Sequence, residues 1–173
     1  MQVSIRNKWI SLRGSSTVKD LNENDVLRVK GKFWTFTRKK FVQDLDGNLL
    51  YTVRNKFWTF FVKKAFVYDK DGNQVAFLRR KFWSVHDRYF IQTKYGDMEI
   101  SGNILGFNYR MYLNGEEVGH ISRKISLRDS FVLDVYKDED IAFFVALVIA
   151  IDNITDTRRQ ESASVSASSS SDY

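Results

Sequence analysis

Along most of the chain apolar and polar residues alternate with a period of two, the signature of half-buried strands rather than helices. Val3, Ile5 and Trp9 mark the first such stretch, and Thr17-Val18-Lys19 starts a second. From Val26 to Lys32 the pattern is regular: Val26, Arg28, Lys30 and Lys32 share one face, Leu27, Val29 and Gly31 the other. Polar turns at Ser11–Ser16 and Asn22–Asp25 punctuate these runs. Further on, Arg88 to Lys94 and Met98 to Ile104 flank Tyr95-Gly96-Asp97, and Phe107 to Leu113 and Val118 to Arg123 flank Asn114-Gly115. Ser130 to Tyr136 is the last predicted strand.

An internal repeat lies between. Lys32-Phe33-Trp34-Thr35-Phe36 recurs as Lys56-Phe57-Trp58-Thr59-Phe60 and, more weakly, as Lys81-Phe82-Trp83-Ser84-Val85. Asp44-Leu45-Asp46-Gly47-Asn48 is echoed by Asp69-Lys70-Asp71-Gly72-Asn73. Each unit reads as two strands and an Asp-Gly-Asn hairpin turn, because tight hairpins need positive φ at their central residues. A unit this short cannot bury its own face, so the units must share a core.

The alternation then stops. Ile141 to Ile151 is apolar without a break, preceded by Asp138-Glu139-Asp140 and closed by Asp152-Asn153. Carboxylates before an apolar run satisfy free N–H groups and face the positive end of a helix dipole. The predicted helix covers about 138–153, and being apolar all round it must be buried all round. It is too short for a membrane span, which takes about 20 apolar residues, and acids rather than Lys or Arg flank it. Ten to twelve short antiparallel strands and one apolar helix have one economical packing: the sheet closes and the helix fills its axis, leaving no exposed edge. The fold class is therefore mainly β, a closed antiparallel barrel over about residues 1–155, with a disordered Ser-rich tail over 156–173.

The absence of cysteine excludes disulfides and thiolate metal sites, and the absence of proline lets every strand donate its full hydrogen-bond ladder. Met1-Gln2-Val3-Ser4-Ile5-Arg6 opens no apolar signal region, so a cytoplasmic protein is expected. The net charge of +6 is unevenly spread. Arg28 to Lys64 holds ten Lys/Arg against Asp44 and Asp46, whereas Asp138 to Tyr173 holds two Arg against seven acids. A basic section suggests an anionic partner, either phospholipid headgroups or nucleic acid; the bland alternative is a solvated sheet face.

In its order of features the chain resembles the LURP-one-related proteins, which group with tubby C-terminal domains and phospholipid scramblases. The features are Ser11-Leu12-Arg13, Thr17-Val18-Lys19-Asp20, Val29-Lys30-Gly31-Lys32-Phe33, the Asp-Gly turns at Asp46 and Asp71, and the terminal helix. The resemblance covers about residues 2–153. It implies a twelve-stranded barrel around a central helix, and it brings the phosphoinositide binding of tubby domains into consideration. Headgroup-binding residues do not map onto this sequence one by one, and fold analogy does not carry function.

Candidate chemistry is sparse. His86-Asp87 falls on opposite faces of any strand, which spoils a base with its orienting carboxylate. Ser16-Thr17-Val18-Lys19 matches the short Ser-x-x-Lys pattern only, and no nucleophile-elbow, zincin or phosphate-loop motif is present. The Asp44 and Asp69 loops lack the bidentate Glu of a calcium loop, with Asn55 and Arg80 at that position, so they read as turns. Phe33, Trp34, Phe36, Phe57, Trp58, Phe60, Phe61, Phe82 and Trp83 put aromatics on both faces of predicted strands, one toward the helix and one outward. Lys30-Gly31-Lys32-Phe33-Trp34 does not meet the RNA-recognition pattern.

These observations predict a non-enzymatic binding module with no cofactor and no metal, taking anionic phospholipid or phosphoinositide headgroups at the cytoplasmic membrane surface. Lys30, Lys32, Arg38, Lys39 and Lys40 are the candidate ligand-binding residues. A protein-interaction scaffold, with charge serving solubility, is the alternative; nucleic-acid binding through the same residues ranks below it.

Overall fold

A computed structural model describes residues 1–6, 15–31, 39–56, 64–80, 88–103, 108–124, 130–136 and 140–168. In chain order the strands are β1 (Gln2–Arg6), β2 (Ser15–Asp20), β3 (Asp25–Gly31), β4 (Lys40–Gln43), β5 (Leu49–Lys56), β6 (Lys64–Asp69), β7 (Gln74–Arg80), β8 (Arg88–Thr93), β9 (Gly96–Asn103), β10 (Asn108–Leu113), β11 (Glu116–Lys124) and β12 (Ser130–Val135). One helix, α1 (Ile141–Ser168), follows them.

Every strand pairs antiparallel with its chain neighbours, and β1 pairs with both β2 and β12, so the sheet closes. Gln2 lies opposite Asp134 and Arg6 opposite Ser130. The Met1 ammonium donates to the Val135 carbonyl at 2.6 Å and seals the seam at one end. Closure leaves no strand edge open to another chain.

The period-two pattern decides which residues line the interior. Val29, Val42, Val53, Val67, Leu78, Ile91, Ile100, Met111, Ile121 and Leu133 form an apolar inner belt around the barrel. Against it lies α1, whose residues Ala142 to Ile151 are all buried, as are Asp152, Asn153 and Ile154. At 1.5 Å per residue the stretch from Ile141 to Ile154 is about 21 Å long, comparable to six strand residues at about 3.3 Å each. That stretch of the helix therefore matches the height of the barrel. Burying ten such side chains contributes on the order of 15–25 kcal/mol gross, an upper bound before chain entropy is subtracted.

Asp140 is the N-cap. Its Oδ1 accepts from the Phe143 N–H at 3.0 Å, and its carbonyl accepts the first helical bond from the Phe144 N–H at 3.1 Å. Asp138 and Glu139 lie outside the described residues. The helix does not stop near residue 153, as the acid-to-Asn pattern predicts, but continues to Ser168 through the Ser-rich stretch. Propagation from an existing helix adds a hydrogen bond for each residue fixed, and Arg158, Arg159, Gln160, Glu161 and Ala163 are good helix formers.

Strand direction gives the barrel two unlike ends. Five tight turns, at 21–24, 44–48, 70–73, 94–95 and 114–115, and the entry to α1 share one end, here the turn end. The strand termini Arg6, Ser15, Gly31, Lys40, Lys56, Lys64, Arg80, Arg88, Asn103, Asn108, Lys124 and Ser130 share the other, the open end. α1 enters at the turn end and runs, buried from Ala142 through Ile154, toward the open end.

Candidate functional site

At the turn end the chemistry is structural. Asp44 closes its turn by accepting from the Asn48 backbone N–H at 2.8 Å and its Nδ2 at 2.7 Å, and Asp69 does the same with Asn73 at 2.8 and 3.1 Å. A third copy, not recognisable from the Asp-Gly signature, is built on Asp20 and Asn24, at 2.9 and 3.0 Å. Glu23 there takes the positive φ of 65° that Gly47 and Gly72 take at 92° and 84°. Hydrogen bonds from the Asn side chains lead in holding the Asp20 and Asp44 carboxyls below their usual range; at Asp69 burial opposes them and is outweighed. The two Asp-Gly loops are thus turns closed by their own asparagines. Among the described residues no group of His, Asp and Glu is placed to hold a metal ion.

Beside these turns the helix start is clamped. The Asp140 carboxylate accepts from the Tyr51 hydroxyl and lies 3.8 Å from the Lys94 ammonium, which donates to Tyr51 at 3.0 Å. That ammonium sits over the rings of Tyr95, Tyr51 and Phe143, at 4.7, 5.3 and 5.7 Å from their centroids. Burial first, and then the bond to Asp140, push the Tyr51 hydroxyl up to about 12. Burial also works against the Lys94 charge, but its hydrogen bonds to Tyr51 and Tyr95 prevail and hold the ammonium above its usual range. The cluster ties α1 to β5 and to the β8–β9 turn.

The open end has the opposite character. β1 ends on Arg6, β3 on Lys30-Gly31, β5 on Lys56, β7 on Arg79-Arg80 and β11 on Arg123-Lys124; β4, β6 and β8 begin on Lys40, Lys64 and Arg88. The two outermost residues of each described strand at this end include no Asp or Glu. The turn end carries Asp20, Glu23, Asp25, Asp44, Asp46, Asp69, Asp71, Asp97, Glu116, Glu117, Asp134 and Asp140 against Lys19, Lys70 and Lys94. The barrel is therefore charged along its axis.

One row is unusual. Lys56 pairs with Lys64, and Lys64 with Arg79, on three neighbouring strands. Lys64 precedes the interior residue Ala65 on β6 and lies on the outer face, part-exposed. Like charges directly opposite one another destabilise a sheet. Beside this row, Phe66 and Phe77 lie 5.2 Å apart, the Lys64 ammonium lies 5.8 Å from the Phe77 ring, and Phe90, opposite Arg79, is 47% exposed. Cations and rings on one outer face suit a surface that is anionic and partly apolar.

Three of the sequence-predicted residues come together at this end. Lys30, exposed on the outer face of β3, lies opposite Phe41, and Lys40 lies opposite Gly31 and Val53 at the start of β4, just after Lys39. Lys32 and Arg38 lie outside the described residues, as do His86, the aromatic repeats apart from Lys56, and the nine aromatic residues singled out above. Sequence reasoning missed the Lys56–Lys64–Arg79 row and its aromatic neighbours. A signal existed: acid-rich short connections alternate along the chain with basic, aromatic longer ones. His120 sits on β11, its Nε2 3.3 Å from Asn108 Oδ1. Inside the same end Asn55 Oδ1 and the Tyr109 hydroxyl are buried without a hydrogen-bond partner among the described residues. Burial first, then Asp152 and Tyr89, push the Tyr109 hydroxyl well up.

A closed twelve-stranded antiparallel barrel threaded by its C-terminal helix defines a tubby-like class of protein. The family described as LURP-one-related matches residues 1–152, and the chain belongs to it. The X-ray structure of an Arabidopsis thaliana protein is similar, with 19% sequence identity and a TM-score of 0.63 over 89% of this chain and 91% of that one. At that identity the likeness speaks to the fold alone. No curated protein matches the sequence. Among the described residues no helix is long and apolar enough to cross a membrane.

Proposed function

We propose that the open end of the barrel is a docking face for anionic ligands, with phospholipid headgroups at the cytoplasmic membrane surface as the ligand class. The protein acts as a non-enzymatic binding module. The carrying observation is the Lys56–Lys64–Arg79 row, which stands like charge against like charge across three strands. A purely structural sheet gains nothing from that arrangement. An anionic surface offsets the repulsion when it binds. Lys30, Lys39 and Lys40 extend the same field across β3 and β4.

Each cation beside an anionic bilayer contributes about 1 kcal/mol, screened within a Debye length of about 8–10 Å. Replacing Lys56, Lys64 and Arg79 together by Ser removes about 3 kcal/mol, roughly a hundredfold in partition. The test is sedimentation with phosphatidylcholine vesicles carrying phosphatidylserine, at low and high salt, beside a thermal melt. Binding should fall about a hundredfold at low salt by the same per-charge estimate, while the melting temperature holds or rises because repulsion is relieved. Replacing Lys30, Lys39 and Lys40 by Ala should weaken binding by a similar factor. A parent protein that ignores anionic vesicles at low salt ends the membrane reading. Capture of the parent by DNA or RNA in preference to vesicles would move the open end to nucleic acid.

A further inference from the structure

The outer wall of the barrel has two unlike sides. Alternation sends Ala65, Val67, Leu78, Tyr89 and Ile91 inward, so their neighbours Phe66, Tyr68, Phe77 and Phe90 point away from the core. Phe90 is 47% exposed, and the other three are half-buried. A single aromatic in water is ordinary, but four on three neighbouring strands form a patch. Apart from Asp69, which closes its turn, β5, β6, β7 and β8 contain no Asp or Glu. On the far side, β9, β11 and β12 hold Asp97, Glu99, Glu116, Glu117 and Asp134.

The rings on this wall form a ladder closed by a cation at each end. The Arg54 guanidinium lies 5.9 Å from the Tyr68 centroid, and Tyr68 stacks on Phe66 at 6.4 Å. Phe66 lies 5.2 Å from Phe77, and the Lys64 ammonium lies 5.8 Å from the Phe77 centroid. Register builds the ladder, since Arg54 is opposite Phe66 and Phe66 opposite Phe77. Nucleic-acid bases stack on open ring faces. Here the ring faces are turned to one another and to the two cations. What remains for a partner is ring edges beside cationic heads. That combination suits a membrane interface, where aromatic rings sit at headgroup level and long cationic side chains reach the phosphates.

We propose that the β5–β8 wall is the side of the barrel that lies on the membrane, with Phe90 immersed and Arg54 and Lys64 at headgroup level. The inference rests on the membrane reading above and gives it an orientation. The barrel docks on its flank, with the open end at the edge of the contact rather than at its centre. The apolar part of the contact then survives salt that screens the cations.

The chain contains no cysteine, so a single introduced thiol carries a label without competition. Phe90→Cys and Ser122→Cys are each coupled to an environment-sensitive nitrobenzoxadiazole probe. Both positions stand two residues in from the open-end terminus of their strand, β8 and β11, but on different sides of the barrel. Phosphatidylcholine vesicles carrying phosphatidylserine are added at low salt. The probe at position 90 should brighten and shift to the blue, while the probe at position 122 stays unchanged. Phe90→Ser should also sediment about fivefold less with the same vesicles, the share expected from immersing the exposed half of one Phe side chain. Equal responses at the two positions would mean end-on docking and overturn the proposal. A probe at position 90 that answers a single-stranded oligonucleotide but not vesicles would overturn it in favour of nucleic acid. Sedimentation with vesicles while the probe at position 90 stays unchanged overturns this orientation and leaves the membrane reading standing. A parent that does not sediment at low salt removes both.

Discussion

Replacing Asp140 separates two jobs that its carboxylate performs at once. It caps α1 through the Phe143 N–H, and it accepts from Tyr51 beside the Lys94 ammonium. Loss of an N-cap costs about 1 kcal/mol. Loss of a hydrogen bond to a charged acceptor costs about 1.5–3 kcal/mol. The ion pair with Lys94 adds under about 1 kcal/mol, because both side chains are about a third exposed, at 35% and 31%. Asp140→Ala should therefore destabilise the barrel by about 3 kcal/mol, a fall of about 6–12 °C in melting temperature. Asp140→Asn keeps the cap and loses the charge, and should cost about half as much. The assay is urea unfolding of the three proteins followed by circular dichroism. A second readout is the Tyr51 phenol. Its ionisation at about 12, against an ordinary 10, means that the neutral form is favoured in the folded state. The associated stability is complete below pH 10 and drains away as pH rises toward 12. In Asp140→Asn the phenol should ionise at lower pH, seen by ultraviolet difference absorbance. Equal stabilities for the Asn and Ala variants would show that the cap contributes nothing. An Ala variant within about 0.5 kcal/mol of the parent would remove the clamp as a stabilising feature.

Two further substitutions test the frame. Glu23→Gly relieves a side chain at positive φ and gives up an exposed pair with Lys19, so the melting temperature should rise by about 1–4 °C; a fall would show the strain is outweighed by what the side chain contributes. Ala146→Glu puts an unpaired carboxylate at a fully buried position on the barrel axis, costing several kcal/mol of a total of about 5–15, so no cooperatively melting protein should be recovered, and an unchanged melting temperature would mean the helix is not enclosed.

The barrel and its axis were legible because each rests on a local period. Alternation at Val26–Gly31 places Leu27 and Val29 inside, and Asp46-Gly47 and Asp71-Gly72 mark the hairpins. The polar turn at Asn22–Asp25 was legible too, but its kinship with the other two was not, because Glu23 occupies the position where glycine is the signal and only the Asp20–Asn24 bonds reveal it. The helix end was misjudged because Asp152-Asn153 looks like a stop, yet both residues are buried within an unbroken helix. Of the proposed docking face, Lys30, Lys39 and Lys40 stand out in the sequence as near neighbours. Lys56, Lys64 and Arg79 do not, since only the register of β5, β6 and β7 sets them side by side.

That the residues filling the axis follow all twelve strands bears on how the protein is made. β1 must wait for β12, about 130 residues later, before the seam can form. At 5–20 residues per second that wait is about 7–26 s. Until α1 emerges, the inward rows of Val, Ile and Leu have nothing to close upon. Such a chain has high contact order and a long interval with its interior faces wet. Its window of vulnerability to aggregation thus falls during synthesis, and it ends with the arrival of the last element.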